Sequence, residues 1–286
     1  MADLPDLVRE ELAEPIDPRV TALGVAIAAR HGAAARAVLF YGSCLREAQL
    51  DGLMLDFYLI VSDYRAAYPQ RWLAAANRLI PPNVFPFEAD GLTAKYAVLS
   101  EADFHRLNGP ETRNVSVWAR FAQPSRLAWV RDDAARERVV AAVARAAPTL
   151  LGSALSGDAA PDGDLDLWRR AFALTYSAEL RAERRARSQS VVDADPARYR
   201  RFTAPALALA ARSDNGWTRR RIEGKALSVA RLAKASATFA GGVDYIAWKI
   251  NRHAGTTIII KPWQRRFPLL AAISLLPRLL RSRAIR

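Results

Sequence analysis

Apolar positions along this chain change texture near residue 130. Before it they form short runs of strand length cut by turn residues; after it they recur at helical spacing. Val20, Leu23 and Ile27 predict a helix over residues 18–31. Arg36–Tyr41 reads as a buried strand, broken by Gly42-Ser43, with Ser43 as N-cap of a short helix through Ala48. Leu53–Val61 reads as a second buried strand. Pro69–Ile80 reads as a helix with Pro69 in its first turn, ended by Pro81-Pro82. Val84–Glu88 and Thr93–Leu99 form an expected hairpin about Ala89-Asp90-Gly91, and Ser100 with Asp103 predicts the cap of a following helix. Val115–Phe121 and Arg126–Val130 read as further short strands or extended segments. Helices are then expected over Asp132–Ala147, Leu165–Arg187, Arg198–Arg212 and Thr218–Ala240, with a polar loop over Ser153–Asp164. The fold class is therefore α+β, with an α/β part over residues 1–130, a mainly helical part over 131–215 and a distinct region over 216–286.

Composition sharpens that division. Of 286 residues, 51% are apolar, enough for a sizeable core, and a lone Cys44 excludes a disulfide framework. The acidic opening stretch, with Asp3, Asp6, Glu10, Glu11 and Glu14, predicts no signal peptide, and no apolar run reaches the roughly 18 residues of a membrane span. The net charge of +13 is concentrated at one end: the 15 Lys/Arg and two acids of residues 217–286 leave 27 of each sign in residues 1–216. Such asymmetry implies an anionic partner for that end. Within it, Leu269, Ile273, Leu276 and Leu280 share a helical face opposite Ser274, Arg278 and Arg281, with Lys261, Trp263, Arg265 and Arg266 just before. That pattern suits a helix lying on an anionic membrane surface, and equally a helix docked on the protein's own core. The localisation expected is cytoplasmic, peripheral on the inner face of the membrane. A nucleic-acid partner is disfavoured, because few aromatics interleave with the basic residues for stacking on bases.

The candidate chemistry lies at the first two strands. A strand, a Gly42-Ser43 turn and a short helix can bring backbone amides and a hydroxyl to phosphate oxygens, although an ordinary βα turn has the same pattern. Asp56 on the second strand adds a carboxylate able to hold Mg²⁺. Nucleotidyl transfer commonly uses two acids two residues apart, which a strand aims at one face. Here positions 54 and 58 are Met and Tyr, so Glu88 on a neighbouring strand is the candidate second ligand. His31, His105 and His253 have no metal-ligand spacing.

Four separated stretches resemble one family in the same order, over about residues 36–185. They are Tyr41-Gly42-Ser43 with Met54-Leu55-Asp56-Phe57, Lys95-Tyr96-Ala97-Val98-Leu99-Ser100, Trp118-Ala119-Arg120-Phe121-Ala122-Gln123-Pro124 and Leu174-Thr175-Tyr176-Ser177-Ala178-Glu179-Leu180-Arg181. Together they resemble the mitochondrial-type phosphatidate cytidylyltransferases, which make CDP-diacylglycerol from CTP and phosphatidic acid with Mg²⁺. The family shares the missing second acid. The chain departs from it at Ala67-Tyr68, where the family has Trp-His, at Gln123, where it has Lys, and at Glu179, where it has Asp.

The resemblance implies a nucleotidyltransferase-like mixed sheet, a winged-helix-like second domain and a membrane-associating amphipathic C-terminal segment. Catalytic roles are expected for Asp56, Lys95 and Glu179, and from charge Mg²⁺ is expected on Asp56 together with Glu88 or Glu179. Tyr41, Gly42, Ser43, Arg120, Tyr176 and Arg181 are the expected phosphate- and nucleotide-binding residues. The alternatives are transfer to another phosphorylated acceptor or to nucleic acid, and a non-catalytic lipid-binding relative.

Overall fold

The computed structural model describes residues 3–47, 50–155, 162–178, 191–211, 217–238 and 261. Strands β1 (Ala35–Tyr41), β2 (Met54–Val61), β3 (Asn83–Ala89), β4 (Leu92–Ser100) and β5 (Ser125–Val130) form one mixed sheet in the order β3-β4-β2-β1-β5. Only the β2–β4 pair is parallel. The fold is α+β, as the sequence predicts. The hairpin turn is Asp90-Gly91, with φ of 51° and 73°; two consecutive positive φ values give the turn whose twist matches the strands it joins.

Both faces of the sheet are covered, which is why its strands read as nearly continuous apolar runs. On one face Val38, Phe40, Phe57, Leu59, Tyr96 and Val98 pack with α2 (Pro18–Ala29), α4 (Tyr64–Ala67) and α5 (Arg71–Leu79). On the other, Leu39, Tyr58, Ile60, Ala97 and Leu99 join a larger core. That core takes in α1 (Leu4–Ala13), α6 (Glu101–Asn108), α7 (Trp118–Phe121), α8 (Asp133–Ala144), α9 (Ala146–Ala154), α10 (Asp164–Ala178) and α11 (Pro196–Leu209). The short helix α3 (Ser43–Glu47) follows β1, and α12 (Trp217–Thr238) packs against α10 and β3. At the α10–α12 crossing a Cβ on Gly224 would collide with the carbonyl oxygen of Ala178, so a glycine lets the two helices meet. Helix starts are set locally: Asp3, Asp17, Asp63, Ser100, Asp132 and Asp195 each accept a backbone N–H of the first turn.

Several expectations are corrected. Val115–Phe121 is not extended: Trp118–Phe121 forms a helical turn, because Trp118 and Phe121 at a spacing of three both bury, with Phe121 against Tyr41, Tyr58 and Phe104. Ser43 is the first residue of α3 rather than a residue preceding it. Helix α5 begins at Arg71, leaving Pro69 outside it. The helix expected over Asp132–Ala147 divides at Arg145, and α9 continues to Ala154 with Pro148 in its first turn, where a missing N–H leaves no bond unmade. Helix α10 is described to Ala178, so the rest of the expected Leu165–Arg187 helix lies outside the described residues, as does the amphipathic stretch Phe267–Leu280. Among the described residues no helix is long and apolar enough to cross a membrane.

The helical half is tied to the sheet half by Arg198 of α11. Its guanidinium donates to both carboxylate oxygens of Glu11 on α1 and to Ala122 O at 3.0 Å; both charged side chains are buried, 7% and 6% exposed. Removing one partner strands the other charge in the core. Arg198→Ala should therefore lower unfolding stability by about 3–5 kcal/mol, read from urea midpoints, while the paired replacement Glu11→Leu with Arg198→Met recovers most of the loss. A loss below about 1 kcal/mol for Arg198→Ala would mean the pair does not join the two halves.

Candidate active site

The register of three strands builds the site. Asp56 of β2 lies opposite Tyr41 of β1 and opposite Lys95 of β4, and Pro86 of β3 continues the same row. Residues directly opposite in a sheet share a face, so Tyr41, Asp56 and Lys95 all point to the side of the larger core. Lys95 Nζ lies 2.9 Å from Asp56 Oδ1, and each side chain is about one quarter exposed. Oδ1 receives no directed hydrogen bond, so its contact with Lys95 is chiefly ionic.

Immediately after Tyr41 the chain turns at Gly42, with φ of +100°, a conformation that side chains resist. A Cβ placed there would lie 3.3 Å from Asp56 Oδ2. The carboxylate is thus held between the Gly42 backbone on one side and the Lys95 ammonium on the other. Cys44, the next residue but one, is buried with its Sγ 3.7 Å from Met54 O, a packing role.

On the Lys95 side of the carboxylate a cavity of about 160 Å³ opens between the sheet and the helices above it. Its floor is Tyr41, Tyr58, Lys95, Ala97 and Val84; its roof is Ser116 and Arg120 of the α7 region and Arg231 and Lys234 of α12; Pro82 closes one side. Arg120 donates to Ser116 O, and its charge acts on the nearby Tyr41 phenol. Burial and the neighbouring Asp56 carboxylate push the Tyr41 hydroxyl well above its ordinary value, so it stays a neutral donor. Arg231 Nε donates to Pro81 O and Nη1 to Ser116 Oγ, each at 2.8 Å. Lys234 Nζ donates to Ile80 O and, at 2.7 Å, to Pro82 O. Burial, with Arg231 adding to it, lowers the Lys234 ammonium to about 7. Gathering Arg120, Arg231 and Lys234 beside one space brings like charges together, which opposes stability wherever an acid or an anion does not offset them.

The structure therefore brings together Tyr41, Gly42, Asp56, Lys95 and Arg120, with Ser43 beside them at the start of α3. It does not bring Glu88 to Asp56. Glu88 is exposed on β3 opposite Thr93, two strands from β2 and one alternation along from the Asp56 row. Tyr176 is half-buried against the larger core on α10 and does not line the cavity. Glu179 and Arg181 lie outside the described residues. Among the described residues no group of three or more His, Cys, Asp and Glu gathers to hold a metal. His31 packs between Tyr68 and Tyr96, bonded to Ala67 O and Tyr96 Oη, and burial lowers its pKa.

No protein-family model matches the chain, and no curated protein matches it either.

Sequence reasoning missed Tyr58, Ser116, Arg231 and Lys234. The last two belong to the basic C-terminal region, whose charge reads most simply as a surface for an anionic partner. The available signal was their i, i+3 spacing on the stripe that also carries Gly224 and Leu227.

Lys234 generates a pH prediction. An unfolded lysine titrates near 10.4, so between about pH 7 and pH 10 the unfolded chain holds a proton that the native chain has released. Native stability should rise with pH through that window, and the difference between wild type and Lys234→Met should change in the same window. Urea unfolding from pH 6 to pH 10 checks this. An unchanged difference between the two proteins would mean Lys234 titrates normally.

Proposed function

We propose that this chain is a nucleotidyltransferase that moves CMP from CTP to phosphatidic acid, giving CDP-diacylglycerol and pyrophosphate. The observation that carries this reading is the placement of Asp56 between the Gly42 turn and a cavity ringed by Lys95, Arg120, Arg231 and Lys234. A glycine backbone open to phosphate oxygens, a carboxylate and convergent cations are what phosphoryl chemistry requires, because its catalysis is mostly positioning and charge stabilisation. The lipid acceptor and the cytidine base come from the resemblance over residues 36–185, as do the nucleotidyltransferase-like reading of the sheet and the winged-helix-like reading of the helical part. The chain would work as a peripheral protein on the inner face of the membrane.

In this reading a phosphate oxygen of phosphatidic acid attacks the α-phosphorus of CTP. A new P–O bond forms, the bond to the β-phosphate oxygen breaks, and pyrophosphate leaves. The attacking oxygen is already anionic, so no side chain has to remove a proton. Lys95 and Arg120 offset charge on the phosphates, and the neutral Tyr41 phenol donates to an oxygen. Asp56 can serve a Mg²⁺ that is held largely by the triphosphate, since this ion is commonly bound by one or two carboxylates plus substrate phosphates. When bound, that ion would supply charge neutralisation at the phosphates.

A second reading, a non-catalytic binder of phosphorylated ligands, draws on the Lys95–Asp56 contact, because a carboxylate engaged by an ammonium is less available to a cation. Turnover separates the two. Labelled CTP with phosphatidic acid vesicles and Mg²⁺ should yield CDP-diacylglycerol, and Asp56→Asn should reduce kcat/KM by about a hundredfold or more. Gly42→Ala should act in the same direction through its strained φ and its press on the carboxylate. Absence of product from the wild-type chain, or full activity in Asp56→Asn, would remove the transferase reading.

A further inference from the structure

The cavity is lined by Tyr41 and Lys95 and not by Gly42 or Ser43. We propose that the cavity is a subsite for a phosphomonoester headgroup, gripped by Arg231 and Lys234 of α12 from above and by Lys95 and Arg120 beside them, distinct from the triphosphate position at Gly42 and Ser43. This rests on the transferase reading and deepens it, making α12 the acceptor-binding element.

Size argues first. A space of about 160 Å³ is ample for a phosphate group and the first atoms of its ester. Donor chemistry argues second. Two guanidinium groups, the Lys95 ammonium, the Lys234 amine and the Tyr41 phenol surround one space, and planar Arg forks with Lys donors are the residue types that match phosphate oxygens.

Orientation argues third. Arg231 is steered by Pro81 O and Ser116 Oγ, and Lys234 by the carbonyls of Ile80 and Pro82, so both heads are aimed before any ligand arrives. The remaining wall is apolar, formed by Pro82, Val84 and Ala97, and suits the carbon side of an ester better than a fully solvated ion. A merely structural role, pinning α12 to the Ile80–Pro82 loop, accounts for the carbonyl bonds. By itself it does not explain why Arg231 and Lys234 line the same cavity as Lys95 and Arg120, which have their own partners in Asp56 and Ser116 O.

The test uses the full chain and calorimetric titration without turnover. The probes are inorganic phosphate, glycerol 3-phosphate and dihexanoyl phosphatidic acid, with CTP titrated separately. Wild type should bind the monoesters. Arg231→Gln and Lys234→Met should each weaken that binding by about tenfold, the scale of one charge-assisted hydrogen bond, with CTP affinity held within about twofold. If either variant fails to give a thermal unfolding transition, Ser116→Ala, which removes one anchor of Arg231, should weaken monoester binding about threefold with CTP unaffected.

Tighter binding of dihexanoyl phosphatidic acid than of glycerol 3-phosphate identifies a lipid headgroup as the source; equal binding of all three identifies a free phosphate. Either outcome supports the subsite. No monoester binding by wild type, wild-type affinity in the variants, or parallel loss of CTP and monoester overturns it. Monoester binding without CDP-diacylglycerol formation counts against the transferase reading alone.

Discussion

The position of β2, between an antiparallel neighbour and a parallel one, is the constraint on which the rest of the site depends. β1 runs antiparallel to it and ends where the Asp56 row begins, so the Gly42 turn falls against the carboxylate. β4 runs parallel to it and carries Lys95 into the same row. Because side chains alternate along a strand, a slip of one residue in either pairing would send Tyr41 or Lys95 to the opposite core. The alternation of buried residues resists that slip: Phe57, Leu59, Tyr96 and Val98 belong to one core while Tyr58, Ile60, Ala97 and Leu99 belong to the other. The chemistry-bearing row is thus held in place by the apolar residues on either side of it.

The second determinant is the covering of that row. The α7 turn and α12 close over the sheet and convert an open face into a cavity. Closing it places basic side chains in one small, partly dehydrated space, and it is chiefly burial, with Arg231 adding to it, that lowers the Lys234 pKa. Such arrangements oppose stability and cluster at functional sites. The Arg198–Glu11 pair also carries charge inward, matched and buried together, and it serves assembly of the helical half on the sheet half.

Much of the fold was legible in the chain. β1, β2, the β3–β4 hairpin and most helices appear within a few residues of their expected bounds, because short apolar runs, an Asp-Gly turn and Asp or Ser caps are local signals. The misread segment, Val115–Phe121, has β-branched residues at its start, yet Trp118 and Phe121 bury only if the chain coils. At the site, Gly42 and Asp56 could be picked out because a turn and a lone acid between apolar strands are unusual locally. Glu88 could not be judged from spacing, since nothing in a single strand reveals how far along its neighbour it will pair.

By itself, the sequence determined the elements, the α+β class, the excess of positive charge in residues 217–286 and the pairing of a glycine turn with a single strand carboxylate. Each is a property of neighbours along the chain. Only tertiary structure decided that Lys95 meets Asp56 at 2.9 Å, that Glu88 stays two strands from it, and that Arg231 and Lys234 turn inward to a cavity. Those outcomes depend on strand register and on which helix covers which face, set by packing between segments as far apart as β2 and α12. A basic residue has the same sequence signature whether its helix faces an outside partner or its own sheet. The close Gly224–Ala178 contact that lets α12 meet α10 is part of what turns those side chains toward the sheet.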